Sequence, residues 1–265
     1  MNSILFRHFK KFLMLSALLT LALTGCAIPQ FTDQPFKIEQ EEFYRTIRVV
    51  ALEPLDMPEM KQTAEARAEF ESLVTEKLKE AGLTVIPSDN YAALLQTLGK
   101  QDGGLYDPLT GKKNEAKAKE VQKKIYDELR TQHQIDAVAR VVVIPASAHF
   151  SKCKARWHGV EQELESCNVF SGGGYDGRIA AVSLLVAIEN KEEKTLYMNA
   201  GGIQLTARLE TGFLKATQFV PTEANGLLVD QLKNRESVAI ALGPLIRKQK
   251  QPDETRVSSE LLKGD

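Results

Sequence analysis

Apolar and polar positions alternate along this chain in two rhythms. Residues 47–52 (IRVVAL) form a short β-branched run, which predicts a first strand. Residues 60–81 then place Phe70, Val74, Leu78 and Ala81 at helical spacing with charges between them, and Gly82 stands where a helix C-terminus is expected. Residues 83–86 predict a second strand. Pro87-Ser88-Asp89 opens a second helix, with Ser88 as the expected N-cap and Leu94, Leu95 and Leu98 on its inner face. A turn-rich loop covers 99–113. Residues 114–133 predict a third helix, with Val121, Ile125 and Leu129 spaced by four. The nearly continuous apolar run at 135–146 reads as a strand covered on both faces.

The second half changes character. Residues 178–189 and 195–209 predict two strands joined by the charged turn 190–194, and Gly201-Gly202 interrupts the second as a bulge or kink. Thr222-Glu223 is expected to cap a helix running from 224 to about 242, with Asn234 as a candidate break. The fold class is therefore α/β with a mixed sheet: one layered domain with flanking helices and a late β-hairpin.

The amino terminus follows neither rhythm. Arg7, Lys10 and Lys11 precede an unbroken apolar run at 12–23, too short for the ~20 residues of a relaxed bilayer span. Leu23-Thr24-Gly25-Cys26 follows. This order resembles a bacterial lipoprotein signal, whose lipobox reads Leu-x-Gly-Cys. The resemblance implies cleavage before Cys26, a diacylglyceryl thioether on its sulfur and an acylated (palmitate-type) amino group. Ala27 rather than Asp after the cysteine implies export to the outer membrane. The expected organisation is a signal peptide at 1–25, a lipid-anchored linker at 26–45, a periplasmic α/β domain at 46–247 and a disordered polar tail at 248–265. An edge strand near residues 36–38 is the alternative within the linker.

Charge narrows the function classes. The 265 residues carry a net charge of −1, and 43% are hydrophobic. That argues against a nucleic-acid binder. Loss of Arg7, Lys10 and Lys11 would leave −4 and no electrostatic reason for the body to lie on anionic lipid.

Candidate chemistry is sparse. Cys153 and Cys167 flank a polar segment, and an exported pair tends to oxidise. A disulfide closing this loop would stabilise by about 3 kcal/mol on the chain-entropy estimate. The alternative is a metal site, or a metal-dependent enzyme, built on His149, Cys153, His158 and Cys167, whose residue types suit zinc but whose spacing matches no common finger. Residues 171–174 (SGGG) lead into a strand rather than a helix and lack the Gly-Lys-Ser/Thr ending of a phosphate loop. Asp102-Gly103-Gly104 with Asp107 lacks EF-hand spacing and reads as turns. No nucleophile elbow or His-Glu-x-x-His pair occurs. Trp157, the single tryptophan, either packs under the cysteine loop or anchors a partner.

The chain from about 46 to 245 is similar to the α/β module shared by the curli-secretion lipoprotein, the TolB amino-terminal domain and lipoprotein activators of penicillin-binding proteins. The marks are Ala81-Gly82-Leu83-Thr84-Val85, Asp136-Ala137-Val138 and the hairpin at 178–209. The cysteine excursion and the loop at 102–111 depart from that pattern. The resemblance implies a module that binds partners without catalysis or cofactor, and its members include rings, so a homo-oligomer is admitted. Trp157 and Tyr106, in the loops at 150–177 and 99–113, are the expected anchors for an envelope protein.

Overall fold

The computed structural model describes residues 34–57, 63–101, 104–107, 109–164, 176–212, 215–222 and 227–246. The expected signal peptide and Cys26, Cys167, the SGGG stretch and the tail after 246 lie outside the described residues.

Seven strands make the main sheet. β1 (Val49–Leu52) pairs in parallel with β2 (Thr84–Ile86) on one side and with β3 (Ala137–Ser151) on the other. β3 is fifteen residues long and pairs antiparallel with β6 (Asp176–Glu189), which pairs with β7 (Thr195–Leu205). The far end of β3 also carries the hairpin β4 (Lys154–Trp157) and β5 (Val160–Glu163). The mixed α/β class is as the sequence implied. A separate two-stranded sheet, β8 (Ala207–Gly212) with β9 (Lys215–Pro221), was not foreseen.

Alternation divides the sheet cleanly. Val141, Val143, Val182, Leu184, Val186 and Ile188 point to one face. There they meet Phe43 and Tyr44 of α1 (Gln40–Thr46), Phe70, Val74 and Leu78 of α2 (Ala64–Glu80), and Val238 and Leu242 of α5 (Gln231–Leu242). Ala51 and Val138 point to the opposite face, where Tyr91 of α3 (Ser88–Gln101) and Val121, Ile125 and Leu129 of α4 (Glu115–His133) cover them. The helices end as their sequences dictate. Thr63, Asn114 and Asp230 accept backbone N–H bonds as N-caps, and Gly82 takes φ +87° behind α2.

Beyond α4, the second face is covered by the sheet itself. The β4–β5 hairpin curls over β6 and β7 and encloses Ala148, Phe150, Ala155, Trp157, Val160, Ile179 and Leu205. Gly202 N–H donates to His158 O at 3.0 Å, which fastens the hairpin tip. The glycine pair makes this possible. A Cβ at Gly201 would fall 1.9 Å from the Ser237 carbonyl oxygen of α5, and one at Gly202 would fall 2.2 Å from Val160. β7 is thin here because it is gripped from both sides, and its register with β6 shifts at Val182/Ser183.

Four expectations are corrected. The linker does not extend to 45: Lys37 N–H donates to Leu196 O, Met198 N–H donates to Pro35 O, and Phe36 packs among Phe43, Tyr44 and Tyr197 with ring centroids 5.3–5.9 Å away. Aromatic burial recruits this polar-looking stretch into the core. Ser88 is not a cap, because its hydroxyl donates to Glu71 Oε2 at 2.6 Å. The last helix begins at Gln231 under Asp230, and residues 227–230 before it are not helical, so one helix running from 224 to 242 does not form. Asn234 does not break it; its buried Nδ2 donates to Leu228 O at 3.0 Å and to Glu69 Oε2 at 3.3 Å.

Candidate functional site

The parallel part of the sheet supplies the most developed polar site. The chain leaves β1 toward β2 on one side and returns to β3 on the other, so β1 and β3 flank a switch in strand order, where α/β sheets open a crevice at the carboxyl ends of strands. Glu53 follows β1 and is fixed by its N–H bond to Ala139 O at 2.9 Å. Arg140 interrupts the apolar face of β3, and Glu189 ends β6. Arg140 Nε donates to Glu53 Oε2 at 2.8 Å, and its Nη1 stands 3.3 Å from Glu189 Oε2. A half-buried guanidinium requires such partners.

Burial and the neighbouring charges act on Arg140, Glu189 and the nearby Tyr91. Burial pulls Arg140 down, but Glu53 and then Glu189 outweigh it and hold the guanidinium above its ordinary value. Burial pushes the Glu189 carboxyl up despite Arg140. Burial, and then the charge of Glu53, push the Tyr91 phenol up, and Tyr91 also hydrogen-bonds Glu53. Outside this triad a cleft of about 400 Å³ opens, lined also by Asp56, Lys113 and Lys119. Asp56 is held in place through its backbone, which donates to Val141 O at 3.1 Å and accepts from Val143 N–H at 2.9 Å.

The loop carrying Tyr106 borders this cleft. Tyr106 forms a backbone bridge with Lys113, Asp107 N–H donates to Lys112 O, and Asn114 N–H donates to Leu105 O. Asp107 Oδ1 accepts from Leu109 N–H at 2.9 Å and from Thr110 N–H at 2.7 Å. Those bonds, from Thr110 and then Leu109, hold its carboxyl below the usual carboxylate range. The loop is thus tied from within and presents Tyr106 at 60% exposure and Leu109 at 94%.

Trp157 lies elsewhere. It is 7% exposed, and its Nε1 donates to Val182 O at 3.2 Å. It is a core residue of the rolled hairpin, packed against β6 and β7, and is not a surface anchor. The metal alternative is also corrected. His149 sits in register between Arg156 and Arg178 on one face of the sheet. His158 turns to the other face, where its Nδ1 stands 2.7 Å from Ser183 Oγ and burial lowers its pKa. Among the described residues no three His, Cys, Asp or Glu side chains stand where they could hold a metal ion. Cys153 occupies the turn between β3 and β4, and its carbonyl accepts from Leu164 N–H at 2.8 Å.

Sequence reasoning missed the Glu53–Arg140–Glu189 group. The signal was present as one arginine inside the apolar run at 135–146, but its partners lie 87 and 49 positions away in the chain.

No family model and no curated protein matches the chain. Among solved structures it is similar to the PelC dodecamer from Paraburkholderia phytofirmans, at 12% identity and a TM-score of 0.33, covering 77% of this chain and 91% of that one. It is also similar to lipoprotein GNA1162 from Neisseria meningitidis, at 14% identity and a TM-score of 0.29, covering 82% of this chain and 99% of that one.

Proposed function

We propose that this chain is a lipoprotein of the outer membrane whose α/β domain faces the periplasm and binds an envelope protein without catalysing a reaction. The observation that carries this reading is the order of Arg7, Lys10 and Lys11, the apolar run at 12–23, and Leu23-Thr24-Gly25-Cys26-Ala27. Cys26 holds the anchor. Multiple acyl chains give the lasting membrane attachment that a single chain does not. Among the described residues no helix is long and apolar enough to cross a membrane.

The tied loop with Tyr106 and Leu109, beside the charged cleft, is the partner surface. An ordered loop with exposed apolar tips loses little conformational freedom on binding. Glu53 and Glu189 are both engaged with Arg140, which suits a structural triad better than acid–base chemistry. A homo-oligomer is one form the partner takes in this reading.

A Cys153–Cys167 disulfide staples the excursion. The Leu164 bond to Cys153 supports it, because Cys167 lies three positions beyond Leu164, a reach of at most about 11 Å. Non-reducing peptide mapping of the exported protein should recover the two cysteine peptides joined. Recovery of both as separately alkylated thiols would remove the staple from this reading.

The anchor and the surface are tested together. Metabolic labelling with palmitate should mark the wild-type chain and leave Cys26→Ser unlabelled, with the label in outer-membrane fractions. Photo-cross-linkers at Tyr106 and Leu109 should then capture one dominant envelope protein or a second copy. Unlabelled wild-type protein would defeat the anchor, and labelled protein with no specific adduct would defeat the surface.

A further inference from the structure

The amino-terminal end of α5 bears an apolar pair that the rest of the described fold does not cover. Val229 is 66% exposed and Leu232 is 79% exposed. Val229 lines a groove of about 290 Å³ together with Gln204, Arg208, Asp230 and Lys233, and Leu232 follows three positions on, in the first turn of α5. The opposite end of α5 leads through the turn Gly243–Leu245 to Ile246. Tyr44 donates its hydroxyl proton to Leu245 O at 2.8 Å, so the point where the chain departs is fixed to the core.

Nineteen residues follow Ile246, and their apolar content is concentrated in Val257, Leu261 and Leu262. Val257 and Leu261 are four apart, the interval that places two side chains on one helix face. Arg256, Glu260 and Lys263 frame them. The groove offers charges of both signs in return, with Asp230 and Glu163 as acids and Lys233 and Arg208 as bases.

Reach decides whether the two can meet. The twelve residues of α5 and the short turn after it span roughly 20 Å. Eleven residues lead from Ile246 to Val257 and extend to at most about 38 Å. The segment can therefore return along α5 with length to spare. A tether that spans its sites holds its end at an effective concentration on the order of millimolar, so even weak apolar contact is populated.

We propose that residues 257–262 of this chain dock at the amino-terminal end of α5 in the same molecule, with Val257 and Leu261 against the exposed Val229 and Leu232 and their charged neighbours over the adjoining groove.

The test uses the full chain in its native membrane, with a photo-reactive phenylalanine analogue at Leu232 and a control at Leu95, which is exposed on α3. Docking predicts an adduct from position 232 to the peptide 257–262 in the monomer-sized band, and none from position 95. The same adduct in a dimer-sized band would replace the proposal with an exchange between copies. An adduct to a different protein, or none, would overturn it. Because Leu232 is so exposed, its replacement should not disturb folding. Truncation after Arg247 gives a second reading: hydrogen exchange across 229–233 should quicken about twofold or more. Unchanged exchange would also overturn the proposal.

Discussion

The indole N–H of Trp157 donates to the carbonyl oxygen of Val182 across 3.2 Å, and it does so where β6 and β7 slip register. The bond joins the tip of the rolled hairpin to the middle of the sheet. It also turns a tryptophan in a charged stretch into the central side chain of the second core. Gly202 completes the seat, since its missing Cβ leaves room for both Trp157 and Val160.

Trp157→Ala should therefore cost about 3–5 kcal/mol, the range for emptying a large aromatic site. Trp157→Phe should cost less, about 1–3 kcal/mol, by leaving the Val182 carbonyl without its donor. Urea denaturation measures both. As the only tryptophan, Trp157 should give the native protein a blue-shifted emission that moves red on unfolding. A red-shifted native spectrum would contradict its burial.

Two glycine substitutions should behave in opposite ways. Gly201→Ala places a methyl group on the backbone of α5 and should destabilise by more than about 3 kcal/mol. Gly243→Ala meets nothing within 4 Å at a helical φ of −51°, and should be neutral or stabilise by up to about 1 kcal/mol. Thermal melts of the two variants against wild type check the contrast.

Removing the guanidinium from the cleft strands two carboxylates. Arg140→Met should cost roughly 2–3 kcal/mol, toward the low side for buried pairs because a third of the Arg140 side chain remains exposed. Adding Glu53→Gln and Glu189→Gln to that variant should recover part of the loss. A triple variant no more stable than Arg140→Met would mean that the triad is not coupled.

The hairpin tip should respond to acid. Burial holds His158 below its ordinary value of 6.5, so the folded protein favours the neutral ring. As pH falls through about 6.5 the unfolded chain takes up the proton first, and stability declines until pH passes below the folded value. Above that window the contribution is complete. His158→Asn, which tolerates the φ of +36° at this position, should lack this part of the decline. Equal slopes of melting temperature between pH 7.5 and 5.5 for the two proteins would refute the assignment.

What the sequence makes legible follows from distance along the chain. The α2–β2–α3 succession is written in local spacing, and Gly82 and Asn114 sit where helix ends need them. β3 and β6 are visible as strands because both are largely apolar runs, but their long pairing with each other is not written in either. The aromatic cluster of Phe36, Phe43, Tyr44 and Tyr197 is not visible, because it assembles residues 161 positions apart from a stretch with no periodicity. Trp157 is misjudged for a related reason. Its neighbours Arg156 and Glu161 are charged, but they point outward and pair with each other at 2.6 Å, while alternation sends Trp157 inward. Tyr106 is exposed where the loop composition suggested, yet the Arg140 triad beside it depends on contacts no local pattern encodes.

The outer margin of β7 is occupied at both of its ends. Pro35 and Lys37 occupy it beside Leu196 and Met198, and His158 and Gln162 occupy it beside Gly202 and Leu205. An unguarded margin is a template on which another chain can continue a sheet. Here the protein's own entering segment and its own hairpin stand as sentries at the two ends. Copies that meet along this margin find those four positions already engaged, which shortens any continuous β-ladder they could share. Deleting Pro35–Lys37 would open half the template and favour fibrous growth over a discrete assembly.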